Sequence, residues 1–293
     1  MRLSSYSRRG KNGLALLIDG TWRGLEEGQP AFPGALQTLI EAGGDSLARA
    51  ENVLKAAPTL DFESVRKLPP LSRPEKIVCV GLNYTDHSSE SGFKQPDYPT
   101  IFGRFNSSLI ADGDPILRPS FSEQLDYEGE LVAVIGKTAR DVSETDALGF
   151  VAGYSIFNDA SIRDYQFKAP QWTPGKNFDD TGAFGPIFVT ADELPPGCQG
   201  LKLQTRLNGE VVQNASISDM VFSVAKLVAL LSEFMTLKPG DLVVTGTPSG
   251  VGLARKPPLW MQHGDTVEVE VEGIGILSNP VRDRQSLEAV KVA

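Results

Sequence analysis

Cysteine is nearly missing. Cys79 and Cys198 are the only two among 293 residues, and they stand far apart. A metal–thiolate centre needs clustered cysteines, so that class is excluded and two reduced thiols are expected. Long hydrophobic runs are also lacking. No stretch can span a bilayer, and neither a signal peptide nor a lipidation motif is recognisable, so the expectation is a soluble cytoplasmic protein with no membrane partner. Positive charge is in deficit, with 28 Lys and Arg against 37 Asp and Glu and a net charge of −9. Such a mixed, acidic chain has no basic footprint for nucleic acid. Internal repeats and low-complexity segments are absent too.

What is present points to strands and turns. The 29 glycines and 20 prolines suit a turn-rich β protein better than a helical bundle. Residues 1–71 read as a small α+β unit. In it, "GLALLIDGTWRGL" places Asp19-Gly20 at a hairpin turn, and "DSLARAENVLKAA" has helical spacing with Asp45 or Ser46 as the cap. The proline-rich "KLPPLSRPEKI" then reads as a linker, with the boundary near residue 72. From 72 to 293, short β-branched runs alternate with glycine turns. "SDMVFSVAKLVALLSEFMTL" is the one persuasive long helix, capped by Ser218 or Asp219 and ended by "KPGD". The expected class is mainly β with α, a rolled sheet or sandwich with few helices.

Four stretches carry candidate chemistry. "LDYEGELVAVIGK" sets Asp126, Glu128 and Glu130 on one face of a strand, and "SIFNDASIRDYQ" ends another apolar strand at Asp159, followed by Arg163 and Gln166. Glu128, Glu130 and Asp159 would give a hard divalent ion three oxygen ligands. Carboxylates paired with Arg or Lys on a solvated rim fit the same spacing equally well. In "GLNYTDHSSESG", His87 and Glu90 stand three apart, a spacing that lets a carboxylate orient an imidazole as general base; an exposed loop histidine is the other reading. His263, in "MQHGDTV", reads as structural. In "QWTPGKNFDDTG", Lys176 follows a Pro-Gly turn and is either a surface charge or an oxyanion stabiliser. The segment has no G-x-x-x-x-G-K-[ST] phosphate loop. "VVTGTPSGVG" brings the hydroxyls of Thr245, Thr247 and Ser249 to a strand end. It reads as a tight turn or as a set of hydrogen-bond donors for a carboxylate.

In this order, and joined by "PTIFGRFNSSLI", "LNGEVVQ", "LKPGDLVVTGTPSGVG" and "GDTVEVEVEGIG", these stretches resemble the fumarylacetoacetate hydrolase superfamily over about residues 70–282. The first seventy residues resemble the variable extra domain of its larger bacterial members. The resemblance implies a mixed β-roll domain, usually a homodimer, that binds Mg²⁺, Mn²⁺ or Ca²⁺ through Glu128, Glu130 and Asp159. It also implies that His87 and Glu90 are the acid–base pair of a lid at 84–92, that Lys176 is catalytic, and that Arg163, Gln166 and Thr247 contact substrate. Asp126 is expected behind the ligands. Two departures stand out. Arg104 replaces a lysine common in relatives, and Leu82 stands where pyruvate-cleaving members carry an arginine, which leaves Arg104 and Arg163 as candidate partners for a substrate carboxylate.

The implied reaction is metal-dependent hydrolysis of a C–C bond in a 1,3-diketo acid such as an acylpyruvate. His87 would take a proton from water and Lys176 would stabilise the oxyanion. Decarboxylation or keto–enol isomerisation of a 2-oxo diacid needs the same residues and is the alternative. A catalytically silent metal-binding protein of the same fold is the remote third.

Overall fold

The computed structural model describes residues 1–86 and 97–284. Its strands form a large twelve-stranded sheet, a five-stranded sheet and a short two-stranded ribbon. The main path of the large sheet runs Thr21–Glu26, Lys11–Ile18, Arg2–Arg8, Phe188–Thr190, Val151–Asp159, Gly129–Ile135, Leu242–Val244, Ile77–Gly81 and Thr100–Gly103. Most neighbours are antiparallel, but Leu242–Val244 runs parallel to Ile77–Gly81. The smaller sheet is Glu210–Ser216, Lys202–Leu207, Thr266–Val271, Gly275–Asp283 and Ile116–Arg118. The expectation of a mainly β chain with few helices holds, and the sheets are open.

Gly129–Ile135 is the centre of the fold and is buried along its whole length. Alternation sends Leu131, Ala133 and Ile135 to the core shared with the five-stranded sheet, where Leu203, Val267, Val269 and Leu277 also pack. Val132 and Val134 face the opposite way, onto Leu14, Leu16, Leu36, Ile40 and Leu54 from the first seventy residues. A strand covered on both sides reads as continuously apolar, as "ELVAVI" does. Residues 1–71 therefore join the rest of the chain through a common core. They also join it through the sheet, where Arg2 pairs with Val189 and Leu3 with Phe188.

The hairpin at Asp19-Gly20 forms as expected. Ile18 pairs with Thr21, and both turn residues take the positive φ that a two-residue loop demands. Of the two capping expectations, one holds in position and the other fails. Asp45 is the N-cap of Ser46–Lys55, but its side chain makes no capping hydrogen bond and pairs with Arg49 at 2.6 Å, while the Ser46 hydroxyl donates to the Leu39 carbonyl. The long helix is shorter than its pattern suggests, Val224–Phe234, with the Ser223 hydroxyl as its N-cap. Ser216 and Asp219 form a capping box around a single 3₁₀ turn, Ile217–Asp219, and the chain between the two helices is extended. The cause lies outside the helix: Asn83 clamps Phe222, accepting from its N–H at 2.7 Å and donating to its carbonyl at 3.0 Å. Cys79 and Cys198 are buried and unbridged. Exposed His263 accepts from the Asp283 N–H at 3.0 Å, a turn contact. Among the described residues no helix is long and apolar enough to cross a membrane.

Candidate active site

Strand register assembles the carboxylates. Val151–Asp159 pairs antiparallel with Gly129–Ile135, Glu130 lies opposite Phe157, and two steps further the Asp159 N–H donates to the Glu128 carbonyl at 2.8 Å. Glu128 and Asp159 thus become cross-strand neighbours, and Glu130 stands two residues along from Glu128. The regular strand starts only at Gly129. Tyr127 and Glu128 bridge a break in the ladder where the Asn158 side chain accepts from the Glu128 N–H at 3.0 Å. Donor oxygens of Glu128, Glu130 and Asp159 all lie within 4.8 Å of one another, and all three residues are buried.

Asp126 is not a member of this cluster. Its oxygens accept from the Gly252 and Leu253 N–H groups at 2.7 and 3.0 Å and from Arg163 Nε at 2.8 Å. It ties the loop after "TGTPSG" to the acidic stretch and holds Arg163.

Three buried cations answer four buried carboxylates. Arg163, at the head of the short helix Arg163–Gln166, lies 2.6 Å from Glu128 and donates to Gln166 Oε1 at 2.9 Å. Lys176 ends the short helix Thr173–Lys176 and bridges Glu128 at 2.6 Å and Asp159 at 2.8 Å, with its ammonium over the Phe102 ring. Its position depends on Gly175, where a Cβ would stand 2.5 Å from the Gln166 backbone, so only glycine lets the two helices meet. Burial acts to lower the Lys176 pKa, but Asp159 and Glu128 outweigh it and hold the ammonium above its ordinary value. The same balance, through Asp126 and Glu128, raises Arg163. Arg104, which does not line the cleft, pairs with the other oxygen of Asp159.

Glu130 is the least compensated member. The Gly246 N–H donates to it, yet burial first, then Asp159 and Glu128, push its carboxyl well above the usual carboxylate range. Like charges crowded at low dielectric are relieved by a cation. The donor set of carboxylate oxygens without sulfur fits a hard divalent ion.

The cleft in front of the cluster is lined by Glu128, Glu130, Arg163, Gln166, Lys176 and Thr247, with Val80, Leu82, Phe167, Trp172 and Leu253 as apolar walls. Thr247 was expected as a donor, but its hydroxyl gives its proton to the Gly129 carbonyl at 3.0 Å and accepts from Gln213 Nε2 at 2.8 Å. Toward the cleft it offers a lone pair. Thr245 is likewise committed, to the Leu131 carbonyl at 3.0 Å. Leu82 adopts a φ of 58°, a left-handed backbone that costs an L-residue roughly 1–2 kcal/mol and is typical of functional sites. Gly81 beside it lies against the Trp172 ring, where a Cβ would collide. His87 and Glu90 lie outside the described residues.

Sequence reasoning missed Gln213 and the placement of Arg104. Gln213 comes from the other sheet and also accepts from the Gly129 N–H at 3.0 Å, a contact that "LNGEVVQ" gives no local sign of.

Residues 76–282 match the family model "Fumarylacetoacetate (FAA) hydrolase C-terminal". The mitochondrial oxaloacetate tautomerase of Rattus norvegicus is 40% identical over 271 residues, 92% of this chain and 86% of that protein. Among solved structures, the fumarylacetoacetate hydrolase of Exiguobacterium antarcticum superposes with a TM-score of 0.86 at 36% identity, covering 97% of this chain and 100% of the other. Maleylpyruvate hydrolase from Sphingobium sp. SYK-6, solved with Mn(II) and pyruvate, gives 0.79 at 25% identity with the same coverage. The sequence motifs, the strand-borne carboxylate cluster and these likenesses agree, and the chain belongs to the fumarylacetoacetate hydrolase family.

Proposed function

We propose that the chain is a metal-dependent enzyme that interconverts the keto and enol forms of a 2-oxo diacid of the oxaloacetate type. The observation that carries this reading is the buried triad Glu128, Glu130 and Asp159, of which Glu128 and Glu130 line the same cleft as Arg163 and Lys176. A divalent ion, Mg²⁺ or Mn²⁺, held by the triad would supply Lewis acidity at the 2-oxo carbonyl and acidify the neighbouring C–H. Arg163 is the candidate partner for the substrate carboxylate, because its guanidinium reaches the cleft and Asp126 fixes its orientation. Lys176 faces the oxygen on which negative charge grows. Gln166 and Thr247 orient the ligand, Thr247 by accepting a hydrogen bond. His87, steered by Glu90, carries the proton. The similarity to a protein named oxaloacetate tautomerase supports this order of preference.

Hydrolytic cleavage of a 1,3-diketo acid is the second reading, supported by the similarity to maleylpyruvate hydrolase. It needs the same cleft and adds a water. Decarboxylation of the 2-oxo diacid is a third outcome of the same electron sink, and a silent binding protein is the remote one. The proposed assembly is a homodimer, which light scattering checks.

The test follows the ultraviolet absorbance of enol oxaloacetate during ketonisation, with Mg²⁺ or with chelator, beside acylpyruvate cleavage and CO₂ release. Faster ketonisation that chelator abolishes is expected. Acylpyruvate cleavage without accelerated ketonisation would replace the tautomerase reading by the hydrolase one.

A further inference from the structure

Arg104 is built into the protein in an unusual way. Its side chain is fully buried, and it does not line the cleft. Nη1 binds Asp159 and approaches the Ala160 carbonyl at 3.3 Å, Nη2 donates to Thr181 Oγ1 at 2.8 Å, and Nε donates to Ser108 Oγ at 3.2 Å. Both hydroxyl anchors are themselves fixed: Ser108 donates to the Phe105 carbonyl at 2.8 Å and Thr181 to the Phe178 carbonyl at 2.6 Å. The Thr181 N–H also donates to the Ser108 carbonyl at 3.1 Å, which joins the two anchors through the main chain. The Phe157 ring lies 5.5 Å from the guanidinium, and a Cβ on Gly182 would stand 3.1 Å from its carbon. A rigid planar fork held from every side is suited to fixing a carboxylate plane.

Asp159 is thus gripped on one oxygen by Arg104, which does not line the cleft, and on the other by Lys176, which does. We propose that Arg104 is a positioning residue for Asp159, setting the carboxylate at the angle needed to ligate a metal, and makes no contact with substrate. The inference rests on the reading of Glu128, Glu130 and Asp159 as metal ligands. Partners behind a ligand orient it, and their loss typically weakens metal binding by about 10–100-fold. Without the fork, Asp159 can rotate toward the vacated hydroxyls of Ser108 and Thr181, which takes an oxygen away from the triad.

The test is Mn²⁺ titration by calorimetry and by the electron paramagnetic resonance of the free ion, on wild type, Arg104→Met and Arg104→Lys, with thermal melts in chelator alongside. Arg104→Met is expected to bind Mn²⁺ at least about tenfold more weakly, and Arg104→Lys, which keeps a donor for Asp159, to recover most of that loss. Unchanged or tighter binding by Arg104→Met overturns the proposal, and so does an equal loss in Arg104→Lys. If Arg104→Met does not fold, the Ser108→Ala/Thr181→Val pair takes its place. It keeps the arginine but removes two anchors, so binding should weaken by roughly fivefold, and wild-type affinity there overturns the proposal. Wild-type protein that binds no Mn²⁺ would instead overturn the metal reading itself, and this inference with it.

Discussion

Replacing Lys176 by methionine keeps the length of the side chain and removes one buried charge, with consequences of opposite sign for the protein alone and for its metal affinity. Lys176 is 1% exposed and bridges Glu128 and Asp159 at 2.6 and 2.8 Å. Removing one partner of a buried pair typically costs about 3–5 kcal/mol, because the other partners stay buried without compensation. On the usual scaling of 2–4 °C per kcal/mol for large domains, Lys176→Met in chelator should melt about 6–20 °C below wild type. Unlike Arg104, Lys176 lines the cleft, and an ion held by the proposed triad would share Glu128 and Asp159 with it. Two cations about 4 Å apart repel by up to roughly 4 kcal/mol per pair of unit charges at an effective dielectric near 20. Relief of even a third of that gives about tenfold tighter Mn²⁺ binding, close to 1.4 kcal/mol. At Mn²⁺ about 100 times the wild-type Kd, wild type gains about 2.7 kcal/mol, so the variant gains about 4.1 and the gap between them narrows. Differential scanning fluorimetry with and without Mn²⁺ reads both effects. Equal Mn²⁺ gains in the two proteins, or a variant that melts with wild type in chelator, would refute the reasoning.

Glu128→Gln and Asp159→Asn each remove one carboxylate of the proposed metal site, so calorimetry should show Mn²⁺ binding lost in both while far-ultraviolet circular dichroism still reports a folded chain. His87→Ala should lose at least about 100-fold of any acylpyruvate hydrolysis, where a base acts during bond cleavage, yet keep most oxaloacetate decarboxylation, measured on one preparation of checked metal content. Equal losses in both would move His87 to a positioning role. Gly175→Ala puts a methyl group 2.5 Å from the Gln166 backbone and should destabilise by about 1–3 kcal/mol. It should also lower kcat by moving Lys176, and a wild-type melt would contradict the close approach.

The parts of this protein that a sequence can announce are those with a local cause. The apolar run of Gly129–Ile135, the Asp19-Gly20 turn and the carboxylates at Glu128, Glu130 and Asp159 are all visible as composition and spacing; the strand and the turn form as read, and the carboxylates come together in a buried cluster. The helix start was misjudged because, of the two expected caps, Asp219 does cap, with Ser216, but only one 3₁₀ turn, and the Ser218 hydroxyl accepts from the Gly200 N–H instead. The deciding contact is Asn83 to Phe222, across 139 residues. Arg104 could be seen as a charge near the site, but whether it pointed into the cleft or behind Asp159 depended on Ser108 and Thr181, which reach it from separate segments. Thr247 was legible as a hydroxyl near the carboxylate cluster, and it lines the cleft. The direction of its proton was not, since the Gly129 carbonyl and Gln213 decide it.

The strand Gly129–Ile135 has no face toward water, and this governs how the protein can be shortened or varied. A strand with one wet face tolerates polar replacements at every second position; this one has no such positions, and any drift in its apolar residues is transmitted to the carboxylates at its start. Its second face is covered by the first seventy residues, which serve as the roof of the layer that carries the buried carboxylates. A chain begun at residue 72 would leave Val132, Val134, Leu242 and Val244 under water and the edge of Phe188–Thr190 unpaired. An open apolar sheet of that kind recruits other chains. Such a fragment should therefore be recovered as aggregate, and a shorter relative with the same catalytic strand must roof it with some other element or with a second subunit.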